Sequence, residues 1–348
     1  MVDFENRYVA IQREDFGTYG SVASSAGTKV YGEVDEESIG HKFDLMVRED
    51  MSRHTASKAV TGREFSEGDI SLAMQVDDFV GNLLYAFFPK DTQTGSGDNT
   101  VHTLEEPTGI HGYPSFTLEI GREAKEHTFT GMCANTLSVS ATVGEYCMMS
   151  VGFYGKAESA VSTLVSDPSF SGDALDALHF ANGTVKFAGG AATASIKSFS
   201  FDINLNQDPD NSYALGAAGP QRRIPKQRRE ISGTIEFNQV LYTADAGSPT
   251  YSTLIAADGD SDNPTDATPA IELELKDESL DDSIKFEFFK VFFEAPEASV
   301  SGRDTNTMTV NFRGLYDAAG GSQADAAMKV TMTGPLQGSA YSASRCYN

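Results

Sequence analysis

The residues best suited to chemistry are an alternating run of aspartates, scattered histidines and cysteines, and one dense cluster of cations. Asp258-Gly-Asp260-Ser-Asp262 places carboxylates at alternate positions, as the start of a calcium loop does. Its sixth position is Asn263 where the sharp turn needs glycine, and its twelfth is Pro269 where a bidentate glutamate would complete the shell. Asp258, Asp260 and Asp262 are therefore the candidate cation ligands, but the run reads better as a solvated acidic loop, and no metal is expected. The six histidines (His41, His54, His102, His111, His127, His179) show no spacing that holds a metal. Cys133, Cys147 and Cys346 match no zinc or redox pattern, and an odd number cannot all pair internally. No Gly-x-Ser-x-Gly elbow or phosphate-cradling loop is present. No catalytic residue and no cofactor are expected, and the chain does not read as an enzyme.

The cations are a different matter. Arg222, Arg223, Lys226, Arg228 and Arg229 fall within ten residues of a chain with 50 acidic and 26 basic side chains, a formal net charge of −24. Such a field opposes ordinary duplex binding, in which cationic groups displace counterions from phosphates. Three roles remain open for the cluster: contact with nucleic acid, contact with an acidic face of a neighbouring copy, or a solvated loop. The charge balance also suits a halophile, because molar salt cuts the Debye length to ~3 Å.

Two strands must present this cluster. Ile196–Asn206 alternates apolar Phe199, Phe201, Ile203 and Leu205 with polar Ser200, Asp202, Asn204 and Asn206. Ile231–Asn238 alternates again, and Asp208–Arg229 between them carries prolines at 209, 220 and 225. Further period-two runs occur at 29–34, 43–47, 70–76, 116–120, 137–140, 146–153, 271–275 and 284–288. One helix is expected over Phe79–Phe88, capped by Asp77 or Asp78 and stopped by Pro89. Residues 90–113 read as a loop. No apolar run reaches the ~18 residues of a membrane span, and the first residues lack a signal-peptide pattern, so a chain made and folded in the cytosol without membrane contact is expected.

The pattern also recurs. Phe43-Asp44 returns as Phe201-Asp202, Arg63-Glu64 as Arg229-Glu230, and Ser150-Val-Gly-Phe153 as Thr309-Val-Asn-Phe312. Matched order and spacing suggest two diverged copies of one β-rich unit. The expected organisation is an N-terminal arm (1–27), a first domain (28–158), a connector (159–180), a second domain (181–318) and a C-terminal extension (319–348). Ser248–Ala257 takes the place of the first unit's helix.

Three segments carry a resemblance: Arg13-Glu-Asp-Phe-Gly17-Thr, Asp77-Asp-Phe-Val-Gly81-Asn-Leu-Leu84, and Ile196–Asn206 continuing through Arg229–Phe237. Together they resemble the major tail tube proteins of tailed, siphovirus-like viruses, in the two-domain version, over about residues 8–318. The acidic composition is similar to that of viruses of halophilic archaea. The resemblance implies a mainly β fold of two tandem β-sandwich or barrel domains, each with a short flanking helix. It implies a virion protein whose homotrimers close as pseudo-hexameric rings and stack into a conduit for the genome. By position, the inter-ring loops are Glu49–Gly62, which holds Arg53, and Asp208–Arg229, which holds the five cations. Asp44, Asp202, Asn204 and Asn206 are then expected to face an acidic lumen, past which double-stranded DNA moves without specific binding. Partners would be the chain itself, a tape measure, a tail terminator and a baseplate hub. A distal-tail or baseplate ring protein is the alternative, and a β-rich host-surface adhesin stands behind it.

Overall fold

The computed structural model describes residues 7–15, 17–21, 28–106, 113–170, 175–187, 190–193, 195–240, 242, 250–251, 271–279, 281–299, 306–316, 326–339 and 341. The first half contains β1 (Tyr8–Arg13), β2 (Val30–Gly32), β3 (Glu36–Glu37), β4 (Gly40–Arg48), β5 (Lys58–Ala73) and α1 (Asp78–Tyr85). It continues with β6 (Lys90–Thr94), β7 (Thr100–Glu105), β8 (Phe116–Arg122), β9 (Lys125–Thr142), β10 (Met148–Gly155) and β11 (Glu158–Ser162). The second half contains β12 (Gly183–Phe187), β13 (Ile196–Asn204), β14 (Glu230–Phe237), β15 (Ile271–Lys276) and β16 (Ser283–Phe288). It closes with β17 (Lys290–Phe293), β18 (Glu297–Ser299), β19 (Thr307–Leu315) and β20 (Met328–Gly334). The protein is mainly β, as expected, with its strands in two antiparallel sheets.

The larger sheet has the path β17-β19-β14-β13-β9-β10-β5-β3. β18 continues the line of β17 along β19, and β4 continues the line of β3 along β5. One succession of four lines therefore occurs twice: β17/β18-β19-β14-β13, then the second part of β9, β10, β5 and β3/β4. The halves meet where β13 pairs with β9, so the sheet runs unbroken across the boundary. Beyond the sheet path, β1-β8-β9-β11 and β12-β15-β16-β20 are likewise matching antiparallel successions. β9 serves in both layers of the first half and turns at Gly131, whose φ of +67° costs glycine least.

Alternation decides which face is buried. Phe199, Phe201, Ile203, Leu137, Val139, Val151, Ile235 and Phe312 point inward, each no more than 2% exposed. Phe201 meets Phe286 and Phe288 of the second sheet edge-on at 5.1 and 5.3 Å, and Phe288 meets Phe312 at 5.4 Å. Such edge-to-face pairs add about 0.5–1.5 kcal/mol each beyond their buried area. α1 fills the first half's interior, every residue from Phe79 to Tyr85 being buried. Asp77 is its cap, accepting from the Val80 amide at 2.8 Å and satisfying one of the donors a helix start leaves open.

Several expected boundaries move. Residues 1–27 contain β1, whose Tyr8–Ile11 are core residues, because β8 offers that strand an edge. Within the 90–113 stretch expected as a loop, Lys90–Glu105 forms the β6–β7 hairpin, whose polar threonines hid a strand pattern. The connector at 159–180 contains most of β11, and the extension at 319–348 contains β20. β20 inserts between β16 and β7, bridging the halves in the six-stranded sheet β12-β15-β16-β20-β7-β6. The expected helix at Ser248–Ala257, apart from Thr250 and Tyr251, lies outside the described residues, as do Asp258, Asp260, Asp262, His111 and Cys346.

After β20 the chain is clasped by a buried polar cluster. His102 is fully buried, its Nδ1 2.9 Å from Asp91 Oδ2 and its Nε2 3.0 Å from the Gln337 carbonyl oxygen. A carboxylate and a carbonyl both accept, so these contacts favour the ring that carries a proton on each nitrogen. The same Asp91 oxygen accepts from the Tyr341 amide at 2.6 Å, while the Tyr341 hydroxyl donates to Asp78 at 2.9 Å. Gly81 leaves room for that hydroxyl, since a Cβ there would lie 2.0 Å from it. Burial alone would lower the His102 pKa; the Asp91 hydrogen bond and charge, the Gln337 carbonyl and Asp78 outweigh it, and the net shift is upward. A raised pKa means that this contribution is complete below the unfolded value of about 6.5 and is lost as pH climbs through the folded value. His102→Gln is expected to lose its stability deficit relative to wild type as pH is raised from 6 to 9, read as urea midpoints. A deficit constant over that range would show a neutral ring.

Candidate functional site

β4 and the first part of β5 extend past the rest of the sheet as a two-stranded arm. Beyond Phe43 the pairing slips by a bulge, then continues from Leu45↔Thr61 to Arg48↔Lys58. Phe43, Leu45, Met46 and Val60 are 53%, 62%, 56% and 57% exposed, and Val47 and Met51 are exposed with them. An isolated two-stranded ribbon is marginal in water, and apolar groups gathered on one mark a contact surface. Arg53 lies at its tip, exposed. At its base Arg63 binds Asp44 (2.7 Å) and Asp210 and lies 5.3 Å from the Tyr213 ring centroid. Phe65 stacks on Tyr154 at 5.0 Å, Tyr154 bonds Tyr213 through their hydroxyls, and the Glu64 amide donates to Ala218.

The Asp208–Arg229 segment supplies that base. It folds back on its own chain, with Asp208 N donating to Pro225 O and Gln221 N to Ser212 O, both at 2.8 Å, and with Ile224 buried. Three of its five cations turn inward. Arg223 donates to Ser115 Oγ (3.1 Å) and to the Asp15 carbonyl (3.0 Å). Arg229 pairs with Glu106 at 3.3 Å and lies over Phe88 at 4.6 Å, near the carbonyl end of α1 where a cation is favoured. Lys226 Nζ is buried without a hydrogen bond, 3.5 Å from the Tyr113 ring centroid. Arg222 spends its guanidinium on the Asn211 carbonyl at 2.6 and 2.9 Å while staying exposed, and Arg228 is exposed. The expectation that all five cations serve an inter-ring contact is corrected for three: Arg223, Lys226 and Arg229 are held by a hydroxyl, a carbonyl, a carboxylate and two aromatic rings of their own chain.

The outer face of the larger sheet is polar across both halves. One row reads Arg313, Ser232, Asp202, Ser138, Ser150 and Ser71 on successive strands. The next reads Asn311, Thr234, Ser200, Ser140, Met148 and Ala73. Hydroxyls dominate, with few carboxylates. Its cations are restrained, Lys197 by Glu236 at 2.8 Å and Arg313 by Glu294 at 3.1 Å. Asp202 and Asn204 belong to this face. Asp44 does not: laying β10 on β19 puts Ile39, not Phe43, in the place of Phe201, and Asp44 falls at the bulge of the arm. Asn206 has left the strand with φ +47°, its side chain donating to the Arg228 carbonyl.

A model of the phage tail tube protein family matches residues 6–333. The chain belongs to that family. It is a virion structural protein of a phage-type tail tube rather than an enzyme, and it self-assembles into a tube with other tail proteins. Among curated proteins none matches it. In this tail tube protein no group of three or more metal-binding side chains occurs among the described residues. Cys133 and Cys147 are buried free thiols, and burial pushes the Cys147 thiol up to about 12. Sequence reasoning missed the arm's apolar faces because its alternation was read as an ordinary half-buried strand. The exposed Leu45, Met46 and Val47 in succession were the available signal.

Burial drives the Lys226 pKa well below its ordinary value, nearby Arg229 adding to the effect and Cys133 opposing it. The unfolded chain then binds a proton that the folded one gives up, so stability rises as pH climbs from the folded value towards about 10.4. Lys226→Met is expected to be more stable than wild type at pH 7 and to lose that advantage by pH 10, measured by urea midpoints. A variant less stable at pH 7 would mean that the ring of Tyr113 holds a charged ammonium.

Proposed function

We propose that three copies of this tail tube protein close into a pseudo-hexameric ring, and that rings stack through the β4–β5 arm. The polar sheet face then lines a channel for double-stranded DNA. The observation that carries the reading is the doubled succession of four strand lines, with a line at each end of the sheet path that has no outer partner strand among the described residues. Two units per chain, related by duplication and divided between Ser162 and Gly183, make a closed trimer a ring of six.

In this reading Asp202 and Asn204 face the lumen beside serines and threonines. DNA meets hydroxyls and a few carboxylates there, while Lys197 and Arg313 are neutralised by their glutamates, so phosphates find little to hold them. Genome delivery needs that lack of grip. The arm, with Arg53 at its tip, makes the contact between rings, and Arg222 and Arg228 are the cations of the basic segment left for it. The tube's ends meet the tape measure, tail terminator and baseplate hub. The net charge of −24 favours assembly in the saline cytoplasm of a halophilic archaeon, where a siphovirus-like particle would be built.

Purified protein in molar salt is expected to form rings and tubes by negative-stain microscopy. Leu45→Asp with Met46→Asp is expected to leave rings that no longer stack. Monodisperse monomers at every concentration would overturn the ring, and unaffected tubes in the double variant would remove the arm from the stacking contact.

A further inference from the structure

The seam between the halves contains the register of a contact the single chain does not make. At that seam β13 and β9 pair antiparallel, with Phe201 opposite Val139, Asp202 opposite Ser138 and Asn204 opposite Thr136. Each strand also pairs inward with its own half, and those ladders can be superposed. Val151 lies opposite Ile70 and Val310 opposite Ile235, while Phe153 lies opposite Gly68 and Phe312 opposite Gly233. Laying Val151 on Val310 thus lays Ile70 on Ile235 and Gly68 on Gly233. Ile70 faces Glu37 and Ile235 faces Phe199, and both ladders run on without a slip to Gly40 and Asp202. On the other side Ser150 faces Ser138 where Thr309 faces Glu297. Even the irregularity agrees: β9 shifts by one residue against β10 at Phe153, and the β17/β18 line shifts by one against β19 before Phe312.

β3/β4 therefore occupies the place of β13, and β18 the place of the paired part of β9, yet neither has a partner strand on its outer side among the described residues. We infer that the β3/β4 line of one copy pairs antiparallel with β18 of the next in the register of the internal seam, with Gly40 opposite Glu297 and Ile39 opposite Ala298. A second copy is the occupant because the same chain already makes this junction once, and an unpaired line at each end permits it to continue. Space is available: a cleft of about 880 Å³ lies against the β3 edge, lined by Glu33, Asp35, Glu36 and Glu37 with Arg7 and Arg122. A Cβ at Gly40 meets nothing within 4 Å, and Glu297 is exposed. The outward amide and carbonyl of Ile39 are held by the Glu37 carboxylate and by Arg122, side-chain contacts that an incoming strand replaces, and an edge without a partner strand is a template for a like one.

The inference rests on the ring reading and assigns its lateral contact. The test is a disulfide. Gly40→Cys with Glu297→Cys, in a Cys346→Ser background, is oxidised after assembly and run on a non-reducing gel. Ser138→Cys with Asp202→Cys, the matching pair inside the chain, is the control for geometry. The expected result is covalent dimers and trimers from Gly40→Cys/Glu297→Cys, monomers from either single variant, and an intrachain bond in the control. Rings that form under reducing conditions yet give no covalent multimers, while the control closes, would overturn the register and leave the ring standing. Efficient trapping instead of Lys42→Cys with Glu297→Cys would show a two-residue slip and overturn it too. Chains that stay monomeric would overturn both. In wild type, amide exchange over Ser38–Lys42 is expected to slow at least tenfold from monomer to ring, and unchanged exchange would count against the pairing whatever the variants do.

Discussion

The unpaired backbone at a sheet edge is the constraint on which this structure turns. Every strand owes one donor and one acceptor per residue, and a strand with one neighbour leaves half of them to water or to a partner. Inside the chain the difficulty is solved at Ile196–Asn204, which covers the edge of Lys125–Thr142 so that two halves share one sheet. The six-stranded sheet solves it a second time, by setting Met328–Gly334 between strands of opposite halves. These two joints carry backbone pairing from one half to the other in both sheets. Among the described residues the lines at Glu36–Lys42 and Glu297–Ser299 have no partner strand on their outer side.

The alternation of side chains assigns the two faces of the larger sheet different tasks. Phe199, Phe201 and Ile203 lock the inner face onto the phenylalanines of the second layer, and a one-residue slip would throw them into solvent. Ser200, Asp202 and Asn204 on the same strand are thereby fixed outward. Core packing sets the register, and the register presents a polar surface that needs no other support. The glutamates at the Glu36–Glu37 edge fit this arrangement, since charge on an open edge discourages unspecific pairing without preventing a matched one.

Much of this was legible in the sequence because period two is a strong signal where one face is buried and the other wet. The strands of the Ile196–Asn206 and Ile231–Phe237 runs, the Asp77 cap and the α1 core lie where their patterns put them. The β6–β7 hairpin was not legible, since Thr92, Thr94, Thr100 and Thr103 resemble loop composition until a neighbouring strand is present. Nor were the strands at either end of the chain, which gain their order from edges far away in sequence. The likeness of Ser150–Phe153 to Thr309–Phe312 falls on β10 and β19, which hold matching places in the sheet path, whereas superposing their ladders brings Phe201 onto Ile39 and not Phe43, because dipeptide likeness carries no information about ladder register. Lys226 and Arg229 looked like surface charge, and nothing in a run of arginines reveals that a carbonyl, a carboxylate and two aromatic rings wait to receive some of them.

The two long hairpin connections of the larger sheet do different work. The connection between β4 and β5 stays a ribbon, with apolar residues on both faces and no core of its own to cover them. The connection between β13 and β14 is interrupted by Pro209, Pro220 and Pro225, which cannot extend a ladder, and it buries Ile224 and Ser212 instead. It then grips the ribbon's base through Asp210, Tyr213 and Ala218. One connection is thus stiffened by the other. The ribbon's support is provided by the second half of the same molecule.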